Sequence, residues 1–422
     1  MRHAALPAHR YPLIDAIRAL AALSIAFFHT YAWGPDATTD VGRVIERLAA
    51  NLAVGVPIFF VISGFVLYRP WVAARAEGRP RPSVAAYAWR RVLRIVPAFW
   101  VAMLVAVACF DRWDELFSSR GLASFLFAQV YTSEHVGILG VAWSLDVEVV
   151  WYAALPVLAT AAAWWAARRD GDEWTPVLAI TAVGLVLLTA YYVGGAPAWW
   201  GNLMPIWLGH FGAGMALAVI SVRDWAPARR VAAHGLLCVL FAGAVYTAMS
   251  VNDYLVILDV PHPAWLTPFL DLVLGIVVAV ALLLPAIFDD GPRSPLKRLV
   301  GSRPVIYLGV VSYGIFLYHD TAFRLLADAG VEVYGLAPGA LLGFALTIAM
   351  AAASWHLLEQ PIMRLRRLVP GRRGPAGAAA PAGAAAPALG DAPAAGELGP
   401  APAYASSVSS ASTTRSAARP SP

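Results

Sequence analysis

Residues 13–33 read LIDAIRALAALSIAFFHTYAW, a stretch long and apolar enough to cross a bilayer as one helix, yet it carries Asp15, Arg18 and His29. At about 100° per residue, the eleven positions from Arg18 to His29 return to the same helix face, roughly 16 Å apart along the axis. Titratable groups at membrane depth are costly and mark function or a specific partner. The stretch decides the class of the whole chain: a polytopic membrane protein whose chemistry sits inside the helices.

Composition agrees. Of 422 residues, 59% are hydrophobic and 14% charged, too little polar surface for a soluble globule. Hydropathy predicts an all-α polytopic membrane protein with about ten transmembrane helices, near 13–33, 52–69, 92–110, 143–166, 176–193, 203–221, 231–249, 268–288, 304–323 and 338–358. The arginine clusters test that count. Arg2 and Arg10, Arg69 to Arg94, Arg168 and Arg169, Arg223 to Arg230, Arg293 to Arg303, and Arg364 to Arg373 all fall on one side of a ten-span arrangement. The opposite loops hold Arg43, Arg47, Arg112 and Arg120, with Arg324 at a helix end. The positive-inside rule then places both termini in the cytoplasm and the protein in the inner (plasma) membrane. It also accounts for the net charge of +5 and excludes nucleic acid as a partner, since no soluble basic module is present.

The first segment lacks a small-residue cleavage site and is predicted to be a retained helix. Cys109 and Cys238 lie in apolar spans, with neither disulfide nor metal spacing. The chain divides into a membrane bundle, 1–369, and a tail, 370–422, whose Ala, Pro, Gly and Ser content cannot bury a core and is expected to be disordered. The internal loop Arg69 to Arg91 is basic and fits either an entrance for an anionic ligand or a loop beside anionic lipids. The external loop Asp111 to Val141 contains LASFLFAQVYTSE, too short to span and suited to lying on or dipping into the membrane.

Depth sorts the polar residues into two layers. Asp15, Arg18, Arg90, Arg91, Arg94, His356 and Glu359 form a cytoplasmic layer. His29, Asp146, Glu148, His319 and Asp320 form an outer one, with His210 near the middle. In AWSLDVEVVWYAALP, residues 142–156, Ser144, Glu148, Trp151 and Tyr152 share a helical face, and Glu148 is expected at the depth of His29. A carboxylate beside an imidazole is a minimal arrangement for activating a hydroxyl. The same residues also fit structural roles: His29 as an interfacial helix end, Glu148 as a buried partner, His210 as a hydrogen-bonded bundle residue, Glu359 as an arginine partner. Arg91 and Arg94, three apart in RRVLRIVPAFW, present a fork suited to phosphates and equally obey the positive-inside rule.

Six segments together resemble the acyltransferase 3 family of integral-membrane O-acyltransferases: DAIRALAALSIAFFH at 15–29, FFVISGFVLYRPW at 59–71, RRVLRIVPAFW at 90–100, WSLDVEVVWY at 143–152, SYGIFLYH at 312–319 and LEQP at 358–361. Two departures stand out. WSLDVEVVWY has one glutamate where many members have two, and VGVPIFFVISGF lacks the acidic residues that often precede that motif. The resemblance is to the stand-alone form without a fused esterase-like domain. It implies acyl-CoA, with acetyl-CoA the default, as donor, a carbohydrate, cell-envelope glycan or glycosylated metabolite as acceptor, and no metal. On the matching positions it implies catalysis by His29 with Glu148, and donor binding by Arg18, Arg90, Arg91 and Arg94. A transporter or flippase of a polar or lipid-linked substrate is the competing expectation, because buried Arg, His and Glu also mark substrate and proton pathways.

Overall fold

The structure, a computed structural model, describes residues 11–32, 39–132, 137–257, 263–288, 295–335 and 337–368. The expected disordered tail, 370–422, lies outside them, as do Arg2 and Arg10. Every regular element among the described residues is helical, which matches the bilayer's requirement that a spanning segment satisfy its own backbone. In chain order these are α1 Pro12–Ala32, α2 Asp40–Ala50, α3 Gly55–Ala76, α4 Val84–Cys109, the short α5 Trp113–Leu116 and α6 Ser119–Phe125, and α7 Trp143–Arg168. They continue with α8 Trp174–Val193, α9 Met204–Arg223, α10 Ala226–Ala233, α11 Gly235–Ile257, α12 Leu266–Ile287, α13 Pro295–Val300, α14 Arg303–Val310, α15 Ser312–Asp328, α16 Pro338–Ser354 and α17 Gln360–Met363.

Among the described residues eight segments are long and apolar enough to cross a membrane, and α10 with α11, bent by 84° at their junction, makes a ninth where the pair counts as one span. The ninth expected span, 304–323, is not one helix: it breaks at Val311 into α14 and α15, of 8 and 17 residues. α15 sits inside the bundle, with every residue from Ser312 to Phe323 buried, so its His319 and Asp320 face protein and not lipid. The loop expected from Arg69 to Arg91 is also shorter. α3 runs on to Ala76 and α4 starts at Val84, capped by the Ser83 hydroxyl, which accepts from the Ala86 amide at 3.3 Å. Arg69 and Arg75 therefore belong to α3, where Arg69 donates to Ser221 at 3.0 Å and Arg75 pairs with Glu173 at 2.9 Å.

Small residues set the closest helix contacts, as expected where lipid removes the hydrophobic drive and backbones must approach. A Cβ on Gly64 of α3 would lie 2.2 Å from the Phe211 carbonyl oxygen of α9, and one on Gly214 of α9 would lie 2.1 Å from that of Val61. Gly309 of α14 is pressed likewise against the Asp15 carbonyl of α1. Between α7 and α8, Asp172 accepts from the amides of Trp174 and Thr175 at 2.9 and 3.1 Å. Together with hydrogen bonds from the Thr175 and Trp165 side chains, this holds its carboxyl down to about 2. In the loop between α4 and α7 the Arg112 guanidinium, 2.7 Å from Glu115, keeps that carboxyl below the usual carboxylate range.

The described residues of the loop between α4 and α7 are folded. α6 and the turn Gln129–Tyr131 bring Phe127, Ile138, Leu139, Val141 and Ala142 into one apolar cluster with Ile25 of α1 and with Tyr313, Phe316 and Leu317 of α15. This cluster positions the site, because it caps the α1–α15 pair and sets where α7 begins.

Candidate active site

A cavity of about 360 Å³ opens between α1, α3, α4, α7 and α15. Its lining changes character along α1. Near Asp15 and Arg18 it is polar, with Arg91 and Arg94 of α4, Ser63 of α3, Glu148 and Tyr152 of α7, and Ser312 of α15. Near Ile25 it is apolar, with Val56, Phe59, Leu145 and Phe316. Asp15 and Ile25 are ten helical residues apart, so the gradient extends over about 15 Å.

At the polar end Arg18 lies 3.8 Å from Asp15, and Arg94, Glu148 and Tyr152 are within its electrostatic reach. Arg91 stands over the Tyr152 ring at 5.9 Å, and its buried Nε has no hydrogen-bond partner among the described residues. Three guanidinium groups in one desolvated cleft form a cradle for an anion, since only charge-assisted hydrogen bonds offset their burial. Arg90 is half-buried and lies outside this lining. Glu359 adds a carboxylate behind Arg94 and accepts from Ser354 at 3.1 Å. It is carried by the π-helical turn Trp355–Glu359, a local widening often found at functional sites.

His29 lies one turn beyond Ile25, past the apolar end. Its Nδ1 is 3.0 Å from Nε2 of His319, and the two rings stack with centroids 5.0 Å apart. His319 is fully buried, and its Nδ1 lies 3.2 Å from the Ile315 carbonyl oxygen, which can only accept. Nδ1 of His319 therefore carries the hydrogen, its Nε2 holds a lone pair, and the His29 Nδ1–H donates to it. With both rings neutral, that order leaves the His29 lone pair on Nε2, the orientation of a base whose other nitrogen is fixed by a partner.

The structure brings Arg18, Arg91, Arg94 and Glu148 together, and places His29 with His319. It does not set Glu148 at the depth of His29. Glu148 sits instead at the arginine end of the cavity, within electrostatic reach of Arg18, which precedes His29 by eleven residues on α1, roughly 16 Å along the axis. There it accepts from the Ser63 hydroxyl and from Tyr152. Sequence periodicity could not register this, because the folded loop before α7 fixes where that helix starts. Of the residues expected on that face, Ser144, Glu148 and Tyr152 line the cavity, whereas Trp151 stacks on Phe211 of α9 at 4.4 Å. Asp146 is a buried structural acceptor for the Val130 amide at 3.1 Å. His210 donates from Nε2 to the Leu272 carbonyl at 3.1 Å, between α9 and α12. His319 is the functional candidate whose partner the sequence did not supply. Its signal was present in SYGIFLYH, but the contact spans 290 positions.

A helical bundle with several spans long and apolar enough to cross a membrane, and a cavity lined by Arg18, Arg91 and Arg94, defines the class: a multi-pass membrane protein. The sequence profile of the acyltransferase domain matches residues 11–358, and the chain belongs to this acyltransferase 3 family, whose members transfer acyl groups. It is 25% identical over 402 residues to nodulation protein 10 of Rhizobium leguminosarum bv. viciae, covering 85% of this chain and 95% of that one. It is 26% identical to the putative peptidoglycan O-acetyltransferase YrhL of Bacillus subtilis, over 84% of this chain and 55% of the relative, so it spans about half that protein's length. To the exopolysaccharide production protein ExoZ of Rhizobium meliloti it is 26% identical, over 77% of this chain and 94% of the relative. No solved structure matches.

Proposed function

We propose that the protein is an O-acyltransferase that moves an acyl group from acyl-CoA to a hydroxyl of a carbohydrate, a cell-envelope glycan or a glycosylated metabolite. The observation that carries the reading is the cavity itself: arginines at one end, apolar walls at the other, and His29 one turn beyond. Arg91 and Arg94, with Arg18 deeper, hold the donor phosphates, and the thioester extends along α1 towards His29. Glu148 belongs to the donor cavity, where it fixes Ser63 and Tyr152 and balances the arginine charge.

In the reaction, Nε2 of His29 takes the proton of the acceptor hydroxyl as its oxygen attacks the thioester carbonyl. The new C–O bond forms, the C–S bond breaks, and the departing thiolate takes the proton back from His29, so ester and free thiol are the only products. His319 is a positioning residue: it accepts the Nδ1 hydrogen, which leaves the His29 lone pair on Nε2 and fixes the ring's orientation. The positive-inside pattern supports a cytoplasmic donor entrance with the acceptor reaching His29 from the other side.

The test is coenzyme A release from acetyl-CoA by the purified full-length protein and its His29→Ala variant, with mass spectrometry of glycans and metabolites from producing cells. Release that depends on His29, with a matching acylated product, is the expected result. Substrate movement without release from any short acyl thioester would replace this reading with transport.

A further inference from the structure

We infer that the N-terminus of α15, together with the Ser312 hydroxyl, is a phosphate subsite that holds the diphosphate of the donor beside Arg18. This rests on the donor-cavity reading and adds to it an uncharged binding element on the helix that carries His319.

The helix expected over 304–323 is interrupted at Val311. The Val311 amide still donates back into α14, to the Tyr307 carbonyl at 3.0 Å, and the next bond is from the Ile315 amide to the Val311 carbonyl at 3.0 Å. No helical bond crosses Val311, so the amides of Ser312 and Tyr313 open α15 without an acceptor in the preceding turn. Val311 at the cap position offers no side-chain hydrogen bond either. Such a break inside a membrane bundle is costly and is tolerated where the freed backbone lines a cavity.

That is its setting here. Ser312 and Tyr313 line the cavity that Arg18, Arg91 and Arg94 also line. Ser312 is fully buried, and its hydroxyl has no hydrogen-bond partner among the described residues. The break denies it the carbonyl one turn back that a helical serine commonly uses. Gly309, three residues before Ser312, is pressed on the Asp15 carbonyl, three residues before Arg18, and further along the same two helices His319 meets His29. α1 and the α14–α15 segment therefore run parallel, with Ser312 and Arg18 both on the Gly309–Asp15 side of the histidine pair.

A helix N-terminus presents outward N–H groups and about half a positive elementary charge, which makes it a ready site for phosphate. Broken membrane helices aim the same end at anionic substrate groups. The Ser312 hydroxyl adds a further donor without adding charge. Seven residues separate Ser312 from His319, about 10 Å of helix, for the uncharged arm of the donor to span. The phosphate group next to that arm is the diphosphate, so the subsite is assigned to it and not to the 3′-phosphate.

The experiment is equilibrium binding of acetyl-CoA and of its 3′-dephospho form to the full-length protein in lipid nanodiscs, for the wild type, Ser312→Ala and Ser312→Asp. Melting temperatures of the three proteins without ligand accompany it. Ser312→Ala raises the acetyl-CoA dissociation constant about tenfold or more, the usual contribution of a hydrogen bond to a charged group, and raises that of the dephospho form by the same factor. Its melting temperature does not fall, because the deleted hydroxyl has no partner among the described residues. Ser312→Asp suits the start of a helix but sets a carboxylate against the phosphate, so it weakens binding more than Ser312→Ala does. If Ser312→Asp does not fold, Ser312→Ala decides alone. Unchanged affinity or a lowered melting temperature in Ser312→Ala overturns the assignment. So does an effect that vanishes with the dephospho donor, or a wild type that binds acetyl-CoA but not the dephospho form, since either places the interaction at the 3′-phosphate. Failure of the wild type to bind acetyl-CoA overturns the donor-cavity reading first, and this one with it.

Discussion

At the scale of single residues, the chemistry depends on which imidazole nitrogen is basic. The chain Ile315 carbonyl, His319, His29 fixes that order through two contacts of 3.2 and 3.0 Å. His319→Ala removes the acceptor and is expected to lower kcat by about 10²-fold or more, within the range general-base positioning contributes, with KM for the donor little changed. His319→Gln, whose amide oxygen can accept, should recover part of the loss; a purely structural role would give no such rescue, and steady-state kinetics on both variants separates the two. His29 and the arginines were legible in the sequence, because polar residues in an apolar run carry their own signal. The His319 pairing and the displaced Glu148 were not legible, since each depends on contacts between helices far apart in the chain.

At the scale of helices, packing between α3 and α9 rests on glycines that admit no Cβ without movement of a facing backbone. Gly64→Val and Gly214→Val should each destabilise the bundle by about 1–3 kcal/mol or more, the range of core overpacking, and lower the melting temperature in detergent. Gly243→Ala, where a Cβ meets open space, should not lower it. A melting temperature unaffected by Gly64→Val would mean that the helices separate at little cost. Hydropathy found these elements well, but two of its expectations changed on folding. The segment 304–323 became two helices because α15 is an interior element that protein surrounds. The basic stretch after span two was drawn into α3 and α4, where Ser221 accepts from Arg69, and Glu173 and Tyr68 accept from Arg75.

At the scale of the molecule, the arginine distribution sets orientation. A reporter fused after Arg366 and one inserted in the loop before Trp143 should report opposite sides, cytoplasmic for the first. The same side for both would require an odd change in the number of crossings and would move the donor entrance.

The sequence by itself determined the class, most of the apolar spans and their order, the arginines and histidines set within them, and the family those motifs indicate. These are local properties: hydropathy accumulates along a segment, and a charge in an apolar run stands out wherever the segment packs. Only the tertiary structure decided which charges share a cavity, and that Glu148 meets Ser63 and Arg18 while His319 meets His29. Those facts depend on the vertical register between helices, which is set by where each connecting loop folds and how closely glycines let neighbours approach, and no periodicity within one helix contains that offset.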